Sequence, residues 1–107
     1  MTPSLKLNAV EYLGGTQINV AFSDGRSGHV DLRDLLQGPL HTPLRSAEQF
    51  QRLELDPELG TITWPNGADL APEAIYFQAF RNDPTLQSTF KRWGYLGSST
   101  VPGGSQR

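Results

Sequence analysis

The feature that most constrains this chain is a short run of strict alternation enclosed by glycine-containing turns. Between residues 16 and 23 every second position is apolar, namely Ile18, Val20 and Phe22. In an extended strand these side chains share one face, and β-branched and aromatic residues favour that structure. The dipeptide Asp24-Gly25, which is typical of short hairpins because adjacent residues take positive φ there, follows directly. The run therefore predicts a half-buried strand that leads into a hairpin.

Strand-like segments lie on both sides of this run. Residues 5–12, before Gly14-Gly15, alternate in part between apolar and polar side chains. Residues 26–32, after the Asp24-Gly25 turn, have the pattern of a third strand. Consecutive strands that are joined by tight turns pair antiparallel. The first third of the chain thus predicts a three-stranded antiparallel meander.

A short helix is predicted where the third strand ends. Asp31 is placed to accept a hydrogen bond from the backbone N–H of Arg33 or Asp34 as an N-cap. Gly38-Pro39 would stop the helix after about two turns. Its apolar side, which should lie on the sheet, consists of Leu32, Leu35 and Leu36.

A second hairpin is predicted in the middle of the chain, after a proline-containing linker. Ser46 and Gln49 have the spacing of a capping box, and one helical turn there would direct Phe50 into the core. Two apolar segments follow on either side of the 56–60 turn, and their core-facing residues are Leu53, Leu55, Ile62 and Trp64. This pattern is typical of a β-hairpin.

The last third predicts two helices. Asp69 or Ala71 would cap the first, with Pro72 in its first turn, and the segment 82–84 would end it. Residues 85–93 predict a further helix, whereas Ser, Thr, Gly and Pro dominate from residue 97 onward. The expected fold class is α+β: an antiparallel three-stranded meander plus a second hairpin, with short helices packed on one face. Residues 1–96 would form a single domain, and residues 97–107 a disordered tail.

Composition restricts the classes of function. The chain has 107 residues, no cysteine and a formal net charge of −2. Disulfides, thiolate metal sites and a cysteine nucleophile are therefore excluded, and bulk attraction to nucleic acid or anionic lipid is absent. No segment resembles a signal peptide or approaches the ~20 apolar residues of a membrane-spanning helix. We expect a cytoplasmic protein with no membrane association and no cofactor.

An ordered series of motifs resembles the family filed as domain of unknown function 2442, over roughly residues 6 to 78. The series consists of Phe22-x-Asp24-Gly25, Val30-Asp31-Leu32, Gly38-Pro39, Leu44, Phe50, Ile62-x-Trp64-Pro65-Asn66-Gly67-Ala68-Asp69-Leu70-x-Pro72-Glu73-x-Ile75-Tyr76. The resemblance implies a small α+β fold, and members are often encoded beside a second small protein in arrangements like toxin–antitoxin pairs. Some relatives carry an added helix-turn-helix domain, for which too few residues follow Tyr76. The family has no established catalytic residues to carry over.

Residues that could support catalysis or metal binding have simpler local explanations. His29 and His41 lack the spacing of a metal-ligand pair, and the carboxylates lie at turns and helix starts, where they bind backbone N–H groups. Ser23, Ser27 and Ser46 lack the Gly-x-Ser-x-Gly context of a nucleophile elbow. The sequence predicts no catalytic residue and no metal ligand.

The candidate interaction residues are Trp64, Asn66, Asp69, Tyr76, Arg81 and Trp93. The string from Trp64 to Asp69 has two interpretations: a structural corner with Trp64 in the core and Asp69 at a helix N-terminus, or the rim of a partner-binding surface. Near the C-terminus, Arg81, Lys91 and Arg92 alternate with aromatic residues, a mixture found both in nucleic-acid binders and in protein interfaces.

The function expected from these patterns is a non-enzymatic protein-interaction domain, the antitoxin-like partner of a small toxin. It would use a sheet edge or the C-terminal aromatic segment for binding. The alternative is a nucleic-acid-associated regulatory module. Self-association into a homo-oligomer is left open by the sequence.

Overall fold

The computed structural model of the chain describes residues 5–95. The predicted disordered tail, residues 97–107, lies outside the described residues. Three strands open the fold, and they pair antiparallel in the order β1-β2-β3: β1 (Leu7–Gly14), β2 (Gln17–Phe22) and β3 (Ser27–Asp31). The alternating side chains Ile18, Val20 and Phe22 of β2 are all buried. The predicted meander is confirmed.

The β2–β3 loop differs in detail from the two-residue turn for which Asp-Gly is typical. The backbone N–H of Gly25 donates to the carbonyl of Phe22 (3.0 Å), and the N–H of Phe22 donates to the carbonyl of Arg26 (2.8 Å). Gly25 has a φ of 91°, in the left-handed region. These bonds define a three-residue loop that ends in a left-handed residue, the next most common hairpin connection.

The second hairpin pairs β4 (Glu54–Asp56) with β5 (Thr61–Thr63), and Leu55 lies opposite Ile62. Gly60, at a φ of 68°, closes its turn. The carbonyl of Gly60 accepts the N–H of Leu7 at 2.8 Å. This bond fixes the hairpin against the edge of the meander.

The predicted two-turn helix after β3 is wrong, because the chain makes one 3₁₀ turn at Arg33–Leu35. Asp31 nevertheless accepts the N–H of Arg33 at 3.0 Å, as expected of a residue that starts a helical turn. Gly38 turns into the left-handed region at a φ of 92°, directly before Pro39, which leaves no room for a second turn. A further 3₁₀ turn, Thr42–Arg45, lies within the predicted linker.

Helix α1 (Ala47–Phe50) is a single turn that carries Phe50 into the core, as predicted, but the predicted capping box is absent. The side chain of Ser46 makes no cap hydrogen bond. Its backbone carbonyl accepts the N–H groups of Gln49 (3.1 Å) and Phe50 (2.8 Å) instead. Burial of Phe50 therefore does not depend on a side-chain cap.

The remaining elements are α2 (Pro72–Phe80), a 3₁₀ turn (Pro84–Leu86) and α3 (Gln87–Trp93). Helix α2 packs closely on β3 because Gly28 has no side chain: a Cβ there would lie 3.1 Å from the ring of Phe80. The opposite face of the meander is exposed at Ala9, Glu11, Asn19, Ser27 and His29. The helices thus cover one face of the sheet, in agreement with the predicted α+β class. None of the helices between residues 5 and 95 is both long and apolar enough to cross a bilayer.

Candidate functional site

The corner after β5 repeats the loop geometry of the first hairpin. The N–H of Gly67 donates to the carbonyl of Trp64 and the N–H of Trp64 donates to the carbonyl of Ala68, each at 3.0 Å. Gly67 takes a φ of 90°. The side-chain oxygen of Asn66 accepts the N–H of Ala68 at 3.0 Å. Asn66 and Gly67 therefore both serve to turn the backbone.

Trp64 lies inside the core, where it is 4% exposed. Its indole N–H donates to the carbonyl of Phe50 at 3.0 Å, and the two rings lie 5.6 Å apart. A side chain in this position holds the hairpin to α1 and offers almost no area to a partner.

Asn66 and Asp69 are exposed, but both belong to a contact with the 38–45 segment. The amide of Asn66 donates to the carbonyl of Leu40 at 2.9 Å, and a ring nitrogen of His41 lies 2.7 Å from the carbonyl of Asp69. The expectation that Asp69 holds the N-terminus of the next helix is wrong. Asp69 pairs with Thr63 in a β-bridge, and α2 begins at Pro72 with Ala71 as its N-cap and no side-chain cap bond.

Tyr76 lies at the centre of an aromatic cluster and is buried. Its ring meets those of Phe22 and Phe80 edge-on, with centroid separations of 4.9 Å in each case. The phenol O–H donates to Oδ2 of Asp24 at 2.6 Å. Burial, together with the bond to the Asp24 carboxylate, raises the pKa of Tyr76 to about 12.

Of the predicted interaction residues, Arg81 and Trp93 lie with Tyr76 on the side of the molecule formed by α2 and α3. Trp93 is half-buried with its ring 5.7 Å from that of Tyr76. Tyr95 stacks on Phe77 with a centroid distance of 4.9 Å and an interplanar angle of 13°. The guanidinium of Arg81 lies 5.1 Å from the centroid of Phe77. We name this side the α2–α3 surface, comprising Phe77, Arg81, Arg92, Trp93 and Tyr95.

A cleft of about 620 Å³ opens beside this surface, between the β2–β3 loop and helices α2 and α3. We name it the Tyr76 cleft, and its lining residues are Leu5, Ser23, Asp24, Arg26, Glu73, Tyr76, Leu86, Thr89, Arg92 and Trp93. One wall is closed by an ion pair between Arg26 and Asp83, with an N–O distance of 3.2 Å. Sequence reasoning missed this cleft, since Asp24 and Arg26 carry only the signal of a hairpin turn.

A second concavity, of about 430 Å³, lies on the uncovered face of the meander. Its polar side chains form hydrogen bonds across the strands. Asn19 donates to Glu11 at 3.1 Å, and a ring nitrogen of His29 lies 2.7 Å from the side-chain oxygen of the neighbouring Gln17. Between residues 5 and 95, no three His, Asp or Glu side chains converge in a way that could hold a metal ion. His29 and His41 lie in separate polar contacts.

Residues 7–81 match the model of a protein family described as protein of unknown function (DUF2442). The chain belongs to this family. The match begins at the first residue of β1 and ends just after α2, so α3 lies beyond it.

Among solved structures, this DUF2442 chain is similar to one described as "Putative DNA Binding Protein NE0471" from Nitrosomonas europaea, with a TM-score of 0.64 and 23% sequence identity. The similarity covers 91% of this chain and 63% of the Nitrosomonas protein. At that identity the comparison establishes the shared fold. A search of curated proteins found no match.

The titratable groups of the DUF2442 chain whose pKa values shift do so for structural reasons. The hydroxyl of Thr16, at 2.6 Å, lowers the pKa of Asp31, and the hydroxyl and N–H of Thr85 lower the pKa of Asp83. Burial raises the pKa of Tyr95, with a smaller contribution from the charge of Glu73. In each case the shift accompanies a contact that positions a loop or a ring.

Proposed function

We propose that this chain is a non-enzymatic interaction domain that binds a small protein partner through the α2–α3 surface. The single observation behind the proposal is the ordered group of solvent-facing rings on this side. Tyr95 is 39% exposed and stacked on Phe77, with Arg81 against the same ring. Trp, Tyr, Phe and Arg are the side chains enriched at interface cores and at energetic hot spots.

The arrangement of the rings favours binding over a purely structural role. Phe77, Trp93 and Tyr95 each keep part of their area in solvent while packing against a neighbouring ring. Side chains that are held in place before binding lose little conformational entropy when a partner covers them. This surface is therefore already organised to receive a partner.

The non-enzymatic part of the proposal rests on how the polar groups are used. Asp31 and Asp83 bind threonine hydroxyls and backbone N–H groups, and Asp24 binds the hydroxyl of Tyr76. A general acid or base needs a pKa close to the working pH. The contacts that set the loops lower the pKa values of Asp31 and Asp83 and so move them away from neutrality. The family resemblance supports an antitoxin-like role beside a small toxin, and the composition supports a location in the cytoplasm.

The test is co-expression with the product of the adjacent gene, followed by size-exclusion chromatography and titration calorimetry. We expect a stable complex, and the Tyr95→Ala variant should bind at least about tenfold more weakly because it removes an exposed ring. Glu48→Ala changes an exposed residue of α1, away from the α2–α3 surface, and serves as the matched control. A chain that elutes alone after co-expression contradicts the proposal, as does a complex insensitive to Tyr95→Ala.

A nucleic-acid-associated regulatory module is the second candidate, favoured by the similar Nitrosomonas structure, which is described as a "Putative DNA Binding Protein". The basic residues Lys91 and Arg92 in the last turn of α3 are exposed, as is Arg81. Against this candidate, Asp24 and Glu73 line the Tyr76 cleft together with Arg92, and the chain has a net charge of −2. This candidate predicts a DNA or RNA mobility shift at low salt that weakens steeply as salt rises. A chain that gives no shift at low salt does not have this function.

A further inference from the structure

We propose that the Tyr76 cleft is a peptide-binding site, which takes one large apolar or aromatic side chain of a partner segment while Glu73 and Arg92 bind the segment's backbone. The inference rests on the proposed function, and it names the chemistry of the partner that the cleft would recognise.

The apolar part of the cleft suits a single side chain. Leu86 is buried, and Leu5 and Trp93 are half-buried with area directed to the opening. The volume of about 620 Å³ falls within the roughly 300–1,000 Å³ typical of binding clefts. An aromatic or leucine-like group placed there would remove apolar area from water on both sides, which is the main source of affinity at hot spots.

Some of the charged side chains around the opening have partners within the protein, and others do not. Arg26 is bound to Asp83 (3.2 Å) and Thr85 (3.3 Å), and Asp24 accepts from Tyr76. Glu73 and Arg92, in contrast, make no ion pair and no side-chain hydrogen bond within the part of the chain that the structure describes. One acceptor and one donor are thus available at the same opening.

This pairing favours a peptide over a nucleic acid. Each peptide unit carries one N–H donor and one C=O acceptor, which match Glu73 and Arg92 respectively. A phosphate in the same position would gain the Arg92 guanidinium but would lie beside the carboxylates of Asp24 and Glu73, and like charges at this range repel. The walls themselves are fixed, because the Asp24–Tyr76 and Arg26–Asp83 contacts join the β2–β3 loop to the helical side.

The experiment is a titration of the whole chain, monitored by two-dimensional NMR. The probe is N-acetyl-phenylalaninamide, and N-acetyl-glycinamide is the control that lacks the side chain. We expect saturable shifts of the Trp93 indole N–H and the Thr89 amide with the phenylalanine probe alone. The Trp64 indole N–H, bonded to the carbonyl of Phe50, should stay unshifted and so reports that the fold is intact.

Two variants of α3 distinguish blocking of the cleft from the general effect of adding a ring to the helix. Thr89→Phe fills the cleft with a ring and should abolish the shifts, whereas Ser88→Phe adds the same ring at an exposed neighbouring position and should leave them. Equal shifts with the glycine control, or binding that survives in Thr89→Phe, overturn the inference.

The partner assay keeps the two proposals distinct. A partner that binds wild type and Thr89→Phe equally well rules out the cleft as the anchor site while leaving the interaction function standing. Absence of any partner complex with the wild type counts against the interaction function, and the probe titration then decides the cleft by itself.

Discussion

Asp24 and Tyr76 lie 52 positions apart in the chain, and a hydrogen bond of 2.6 Å joins them. Asp24 belongs to the loop between β2 and β3, and Tyr76 belongs to α2. The bond therefore fixes the position of the helix relative to the sheet and forms one wall of the Tyr76 cleft.

Tyr76→Phe removes that bond while keeping the ring, and we expect it to lower the free energy of unfolding by about 1–2 kcal/mol at neutral pH. The folded-state pKa of Tyr76, about 12, lies above the ordinary tyrosine value of 10.0. The stabilising contribution is therefore complete below pH ~10 and is lost as the pH rises towards ~12. Urea unfolding of wild type and Tyr76→Phe between pH ~10 and ~12 should show that the difference in their free energies of unfolding decreases. A constant difference would contradict the assignment.

Thr16→Val tests the bond between Thr16 and Asp31. Because the folded-state pKa of Asp31 is lowered, its contribution is present above the unfolded pKa of about 4 and is lost as the pH falls through the folded value. We expect Thr16→Val to be less stable than wild type at neutral pH and to approach it in acid. Acid-dependent thermal unfolding measures this, with Thr42→Val, at an exposed site, as control.

Trp64→Phe separates the structural role of this residue from the interaction role considered for it. The change leaves a cavity and removes the indole donor to the carbonyl of Phe50, which keeps its bond from the N–H of Leu53 (3.1 Å). The loss should cost about 2–4 kcal/mol of unfolding free energy. Binding to a partner, measured where the variant is still folded, should be unchanged. Loss of partner binding without loss of stability would show that Trp64 contacts the partner.

Alanine substitutions at two left-handed glycines should differ in cost. Gly67 has a φ of 90° and open space around the missing Cβ, so Gly67→Ala should cost about 1 kcal/mol from the backbone alone. At Gly60 a Cβ would lie 2.6 Å from Cγ and 2.9 Å from Cβ of Lys6. Gly60→Ala should therefore be clearly the more destabilising in chemical denaturation. Similar midpoints for the two variants would show that the side chain of Lys6 moves aside freely.

Much of the fold follows from local patterns in the sequence. Alternation at Ile18, Val20 and Phe22 predicts the buried face of β2, because the period of a strand is two regardless of what packs on it. The capping box at Ser46 failed for the opposite reason. A helix of one turn can satisfy its first N–H groups through the backbone carbonyl of Ser46, so the side chain is not needed.

The site was less predictable, because burial depends on contacts between distant segments. Trp64 and Trp93 have similar local signals, yet Trp64 is enclosed by Phe50 while Trp93 keeps area in solvent. Asp69 has the sequence position of a helix cap, but pairing with Thr63 commits its backbone to the hairpin. Nothing in the residues near Asp24 indicates that Tyr76 will reach it.

The placement of α3 shows that the region matched by the family model ends before the packed core does. Family similarity ends at residue 81, yet Leu86 and Phe90 from beyond that point are buried, and Phe90 packs edge-on against Phe77 at 4.9 Å. A fragment trimmed to the region of similarity would leave this side of α2 without its cover. We therefore expect the cooperative folding unit to extend beyond the region matched by the family model, and expression trials should extend to residue 95.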